Sequence, residues 1–327
     1  MVKKIKKALV LGATGQGGSF MVKLLLKKNY KVYGFVRKSA TNNLENIENI
    51  LSDKNFIIVR GDLLDLVSLN KIVRENKFDE IYNFADQDHV GWSFQIPTYS
   101  FLVTGASVLN ILEIIKNESP KSKYFQPLSS NMFAGSTNFK QNEDETFSPR
   151  SVYGIGKVTA YYVCKMYKEV FGLKICGAIF YNHESEIRSD EYVSRKITRA
   201  VAKIYYGKQK KLYLGNINTR IDWGYAKDYI IAAYKIMQLK ENDFYIIGSG
   251  KTHSIKDFLQ VAFNQVGLNY KKYVKIDKKL LRPGNTVTLC ADTTKAKKKI
   301  RYKTNTSFKE LIKKMLNNDL MHQKNNV

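Results

Sequence analysis

The chain has 327 residues, a formal net charge of +25 and 44% apolar residues. That length accommodates one large α/β domain with a smaller companion and a substantial core. No uninterrupted run of roughly eighteen apolar residues occurs, and MVKKIKK leads into a strand and a glycine turn instead of a cleavage site, so the expected location is the cytoplasm, with no membrane partner. The lysines are scattered as pairs among asparagines and isoleucines, and no dedicated basic helix stands out. A solvated basic surface that attracts anionic small molecules is therefore expected in place of a nucleic-acid site. Cys164, Cys176 and Cys290 lack metal-ligand spacing, and four histidines leave little for zinc, so reduced cysteines and no metal are expected.

The segment Leu9 to Gly18, LVLGATGQGG, reads as a buried strand running through a tight turn into a helix. Gly12 can permit the turn, Gly15 lets backbone approach a pyrophosphate, and Gly18 lets helix and strand pack closely. Thr14 and Gln16 belong to the same turn, and the helix start offers free N–H groups to phosphates. Met21 to Leu26 supplies an apolar helix face, Asn29 ends it, and Lys31 to Val36 reads as the second strand. Strand, glycine turn, helix and strand within about thirty residues form a dinucleotide-binding unit, so NAD or NADP is the expected cofactor.

After the second strand come Arg37, Lys38 and Ser39, with no acid for the adenosine ribose hydroxyls. A 2′-phosphate favours basic groups, yet a surface Arg-Lys pair is ordinary in so basic a chain, and NAD versus NADP stays open. Residues 40–55 read as a short helix or loop, and Phe56 to Val59 as a third strand. Asp62, followed by Leu63, either accepts from the adenine amino group or caps the helix beginning near Leu66. A helix over Ser68 to Asn76 and a fourth strand over Glu80 to Phe84 follow, placing Asn83 to Gln87 at the carboxyl edge where the cofactor would lie. His89 and Ser93 lie beyond it, towards the substrate mouth. Helices over about Pro97 to Asn117 and a fifth strand from Tyr124 lead to Ser129, Ser130 and Asn131.

Tyr153 and Lys157, four apart near the start of a long helix, rise from one face. An ammonium one turn away favours the tyrosinate, and Ser129 can meet the same oxygen. The set suits removal of a proton from a secondary alcohol while hydride leaves its carbon for a nicotinamide.

With these residues in view, the chain resembles the extended short-chain dehydrogenase/reductases, and within them the GDP-mannose 4,6-dehydratases, over roughly residues 5–315. Beside the glycine turn and Tyr153/Lys157, the likeness is carried by Gly61-Asp62-Leu63, Gln87 to Phe94, and Phe180 to Ser185 (FYNHES). It continues through Arg195-Lys196-Ile197, Leu214-Gly215-Asn216, Asp222-Trp223-Gly224, Ala226-Lys227-Asp228-Tyr229 and Arg282-Pro283. The resemblance implies an α/β, Rossmann-type doubly wound parallel sheet with a smaller mixed α/β substrate domain. The cofactor domain is expected over 1–180 with a returning segment at about 222–250, and the nucleotide-sugar domain over 181–221 and 251–327.

It further implies oxidation of a GDP-sugar at C4 by tightly bound NAD or NADP, with Tyr153 as base, Lys157 lowering its pKa, and Ser129 in the place of the family's hydroxyl, usually threonine. In the family a glutamate two residues later then removes the C5 proton, water leaves from C6, and hydride returns there. Here that position is Asn131. An amide takes up no proton at neutral pH, and a positioned general base contributes about 10²–10⁴-fold. The expectation is a C4 dehydrogenase of a GDP-linked mannose or heptose that stops at the ketone. The alternatives are a 4-epimerase, or a dehydratase whose base has moved to Glu143, Asp144 or Glu186.

For the substrate, the resemblance implies Asn182, Glu184, Arg188, Val193, Lys196, Leu214, Gly215, Arg220 and Arg282, with Arg195 and Lys203 as further anion donors and Asn182 also touching the cofactor. The family's arginine before Asp-Trp-Gly is Ile221 here, with Arg220 one position earlier, and the Thr-Glu after Arg282-Pro283 has become Gly284-Asn285. These changes favour a remodelled sugar pocket. A shortened segment at Ala40 to Lys54 favours a homodimer, through helices near Val103 and Val163, over the family's tetramer. A last helix is expected over Phe308 to Leu316, with Gln323 to Val327 frayed.

Overall fold

The computed structural model describes residues 4–40, 43–280 and 287–324. Strand and helix alternate as the hydrophobic pattern dictates: β1 (Lys7–Leu11), α1 (Gln16–Lys27), β2 (Lys31–Val36), β3 (Phe56–Arg60), α2 (Leu66–Asn76) and β4 (Glu80–Asn83). α3 (Trp92–Gln95), α4 (Pro97–Phe101) and α5 (Ser107–Glu118) follow, a π turn at Leu102–Ala106 joining the last two. Then come β5 (Lys123–Ser129), β6 (Lys140–Gln141), α6 (Val152–Phe171) and β7 (Lys174–Phe180). The second half contributes β8 (Asn182–Glu184), α7 (Val193–Tyr205), β9 (Leu212–Leu214), β10 (Arg220–Tyr225), α8 (Ala226–Gln238) and β11 (Phe244–Ile247). β12 (Thr252–Ser254), α9 (Ile255–Asn264), β13 (Val274–Ile276), β14 (Cys290–Ala291), α10 (Thr294–Ile300) and α11 (Phe308–Lys324) complete it.

The main sheet has seven parallel strands in the order β11-β7-β5-β4-β1-β2-β3. Its direction of winding reverses between β1 and β4, which opens a crevice at their carboxyl ends. β1 shows why the sheet is covered on both faces. Ala8 and Val10 enter one core with α1 and α8, while Leu9 and Leu11 enter the opposite core with α2, α5 and α6. All four are fully buried, each large apolar side chain contributing about 1.5–3 kcal/mol.

A third core unites α7, α9 and α11 beneath a small sheet in which β10 runs parallel to β8 and antiparallel to β12. β10 thus belongs to the small sheet, and α8 and β11 rejoin the large one. The doubly wound sheet with a smaller mixed companion matches the sequence reading. Pro97–Glu118 is long and apolar enough, by length and composition, to cross a membrane, with a mean hydropathy of 1.5 and 56% of the window buried in the fold. It packs against α2 and α6 as a core helix.

Two local differences from the sequence reading have clear causes. α2 begins at Leu66, where the sequence reading had a helix start, but its cap is Asp65, whose carboxylate accepts from Val67 N, and not Asp62. α11 runs well beyond Leu316, carrying Gln323 and Lys324 in helix, because buried Asp319 anchors its later turns. Residues 325–327, also expected to fray, lie outside the described residues.

Candidate active site

The glycine turn is built as its spacing requires. Gly12 has φ +72°, and a Cβ there would lie 2.5 Å from Phe84 O, while one on Gly18 would lie 2.1 Å from Gly12 O. Neither position admits a side chain. Among the described residues, the sole neighbour of such a Cβ at Gly15 is Gly12 O at 3.5 Å, and no side chain caps the start of α1. The turn is therefore closed against the sheet and open on its outer side, a cradle that fits a pyrophosphate. Gln16 ties it to the second half of the chain: Nε2 donates to His183 O at 3.1 Å and Oε1 accepts from Ser185 Oγ at 2.6 Å. The Thr14 carbonyl accepts from Asn46.

Ser151 caps α6, its Oγ accepting from Gly154 N at 3.0 Å. Gly156 then lets α6 approach the π turn so closely that a Cβ on Gly105 would lie 3.0 Å from Gly156 Cα. This contact presses Tyr153 and Lys157 into the crevice, both buried. Lys157 Nζ lies 5.7 Å from the Tyr153 ring centre and donates to Pro127 O at 2.7 Å and to the Asp86 carboxylate. Pro127 lies past the last residue of β5 registered with β4, and its carbonyl also accepts from Gln126 Nε2 at 3.0 Å. Burial raises the Tyr153 pKa; Lys157 opposes this, the Asp86 charge adds to it, and a hydrogen bond with Ser129 opposes it. Burial works against the Lys157 ammonium, but Asp86 and Tyr153 outweigh it and its pKa is raised.

Asn131 bears directly on this group. Its backbone N and its Nδ2 both donate to Ser129 Oγ at 3.2 Å, so the amide is folded onto the hydroxyl that meets Tyr153. Of the acids expected to stand in for a missing base, Glu143 accepts from Ile246 N at the sheet edge. Glu186 pairs with Lys227 at 2.9 Å and with Tyr225, and Asp144 is exposed beside Asn142. None of these bonds reaches Tyr153. Asp86 and Asp88 do face it, and the sequence reading gave neither a role; its one signal was two acids close behind β4. Asp88 forms an ion pair with Arg188 at 3.3 Å, whose guanidinium stacks 3.3 Å from the Tyr192 ring centre.

The remaining expected residues are placed as follows. Arg37 donates to Tyr99 OH at 2.8 Å, and Leu63 is buried in the core. Asp62 accepts from Leu64 N, so the capping role considered for it belongs to Asp65. The His89 ring packs edge-on against Tyr192, while Ser93 is fully buried and donates to Val90 O. Asn182 is exposed at the start of β8. Glu184 is buried, accepting from Ser194 Oγ at 2.6 Å and lying 3.4 Å from Arg188 Nε. Val193 opens α7 and Lys196 is half-buried on its first turns.

Arg195, expected to hold anions, lies 3.1 Å from Asp319 of α11, while its Nε and Nη1 and the second Asp319 oxygen are buried without a hydrogen-bond partner among the described residues. Leu214 is buried with its carbonyl taken by Asp277 N, and Gly215 follows it. Arg220 bonds Thr252 across the small sheet. Arg282 lies outside the described residues. Burial lowers the His183 pKa to about 4, with Arg188 adding to the effect, so this imidazole is neutral at neutral pH.

An uncapped glycine cradle at the switch point, with Ser, Tyr and Lys assembled beside it, defines an enzyme of the extended short-chain dehydrogenase/reductase class. A sequence model of the family described as GDP-mannose 4,6 dehydratase matches residues 9–315, and the chain belongs to that family. It is 40% identical over 330 residues to GDP-mannose 4,6 dehydratase 1 of Arabidopsis thaliana, covering 98% of this chain and 91% of that one. To the GDP-mannose 4,6 dehydratase of Dictyostelium discoideum it is 35% identical, covering 99% of each. Among solved structures, dTDP-glucose 4,6-dehydratase of Bacillus anthracis in complex with NAD superposes with a TM-score of 0.83 at 20% identity, covering 98% of this chain and 97% of that one.

Proposed function

We propose that this chain is an NAD(P)-dependent C4 dehydrogenase of a GDP-linked manno-configured sugar, mannose or heptose, that releases the 4-keto sugar without dehydration. The observation that carries the reading is Asn131, an amide bonded to Ser129 at the position where the family's resemblance places a glutamate, beside an intact Tyr153 and Lys157. When bound in the glycine cradle, the dinucleotide supplies the hydride acceptor. Tyr153, as phenolate, takes the proton of the sugar's O4 hydroxyl while the C4–H bond gives up its hydride, and the C4–O bond becomes a carbonyl. Lys157 favours the phenolate by its charge, and Ser129 holds the same oxygen. The next step of a dehydratase, removal of the C5 proton, has no acceptor in Asn131. Asp88, the carboxylate facing the site from the substrate side, is engaged by Arg188.

Apolar side chains exposed on neighbouring helices, Leu102 and Leu109 on one and Tyr162, Met166 and Val170 on α6, support a homodimer formed through this face. Sedimentation will show a dimer, and a tetramer would revise it.

The activity is tested by mixing the purified protein with GDP-mannose or GDP-manno-heptose and following reduced-nicotinamide absorbance. Growth of that absorbance with a 4-keto product supports the reading; a 6-deoxy product or inversion at C4 contradicts it. Mass spectrometry of small molecules released on denaturation is expected to find retained NAD or NADP.

A further inference from the structure

The chemistry above uses Ser129, Tyr153 and Lys157 and gives no task to the acid bonded to Lys157. Asp86 follows the carboxyl end of β4, and its side chain is only 9% exposed. One oxygen takes the Lys157 ammonium; the other, Oδ1, is buried with no partner among the described residues. An ammonium has three N–H donors. Two are spent on Asp86 and Pro127 O, which leaves one for the side of the crevice where Tyr153 stands.

We propose that Asp86 is a positioning residue that pins Lys157 against Pro127 O and shares its charge, weakening the hold of that ammonium on the Tyr153 phenolate. The orphaned oxygen strengthens the case. With no second donor to spread its charge, the Asp86 carboxylate acts on Lys157 and, through the low-dielectric interior, on Tyr153.

The other groups around the pair do not supply this effect. Asp88, in the loop after β4, raises the phenol's pKa in the same sense, but it is half exposed and paired with Arg188 from the loop after β8. Glu184 and His183 of β8 are, respectively, engaged by Ser194 and Arg188 and neutral. Tyr192, before α7, Tyr124 of β5 and Cys164 of α6 are held protonated by burial. Ser129 of β5 contributes a neutral hydroxyl.

The sign follows. Tyr153 works as an anion, a neighbouring carboxylate disfavours that anion, and so removing the carboxylate moves the rising limb of the pH profile to lower pH. In Asp86→Asn the midpoint for appearance of reduced nicotinamide falls by about one unit, the scale on which a neighbouring charge moves a pKa. The phenolate difference spectrum, taken against the same protein carrying Tyr153→Phe and without sugar, shifts by the same amount. Asp86→Glu, which keeps the charge, titrates like the parent, and Asp86→Ser repeats the test with a smaller neutral group should the amide prevent folding. A midpoint that stays or rises, with activity lowered evenly across pH, would overturn the proposal and leave Asp86 a structural ion-pair partner. The kinetic arm rests on the dehydrogenase reading, whereas the sugar-free titration does not. A protein that makes no ketone but shows the spectral shift would therefore sink that reading and spare this one.

Discussion

The two halves of the molecule handle charge in opposite ways. In the large-sheet half, the charged and hydroxyl groups at the strand ends converge on one crevice: Lys157, Asp86, Ser129 and Tyr153 meet there because β4, β5 and α6 are held in register. In the small-sheet half, much of the polar equipment is spent internally. Arg195 pairs with Asp319, Glu184 with Ser194 and Arg188, and Arg220 with Thr252. In the first half the polar groups named by the sequence motifs gather at one crevice, while in the second half several of them pair with one another around the small sheet.

The sharpest way to break this contrast is Tyr153→Phe. C4 oxidation is expected to fall by at least about 10²–10⁴-fold while the fold and bound cofactor persist, and steady-state rates will check it. Arg195→Met should act on stability instead. Leaving Asp319 buried without its partner costs about 3–5 kcal/mol, seen as a lower midpoint in urea unfolding. A role for Arg195 as a diphosphate ligand would instead put the loss on sugar affinity, with the unfolding midpoint unmoved. Pairing it with Asp319→Leu should recover much of the lost stability.

Smaller effects sharpen the comparison at single positions. Asn131→Glu places a carboxylate beside Ser129 and is expected to add a minor dehydrated fraction to the ketone, visible by mass. Asp65→Ala removes the cap of α2 and should cost about 1 kcal/mol, with Asp62→Ala costing less.

The same contrast explains what was legible in the sequence. Period and glycine spacing specify backbone, and they located β1, α1, β2 and the Tyr153/Lys157 face because those features are local. Asn131 was legible through the family resemblance, which places a glutamate two residues after the hydroxyl of Ser129. Pairings between distant segments were not. Arg195 meets Asp319 across 124 positions, the difference between their numbers, and nothing along either helix announces the other. Asp86 shows the same limit within the large-sheet half: its place at the carboxyl edge was readable, but its partner on α6 emerges only when the sheet brings β4 and β5 against that helix.

The central claim is that the reaction halts at the ketone for want of a base over C5. The direct measurement is the mass of the nucleotide sugar recovered after incubation of GDP-mannose or GDP-manno-heptose with the purified enzyme. A product lighter by a pair of hydrogens, with every oxygen retained, is the predicted result. A product that has lost water would contradict it.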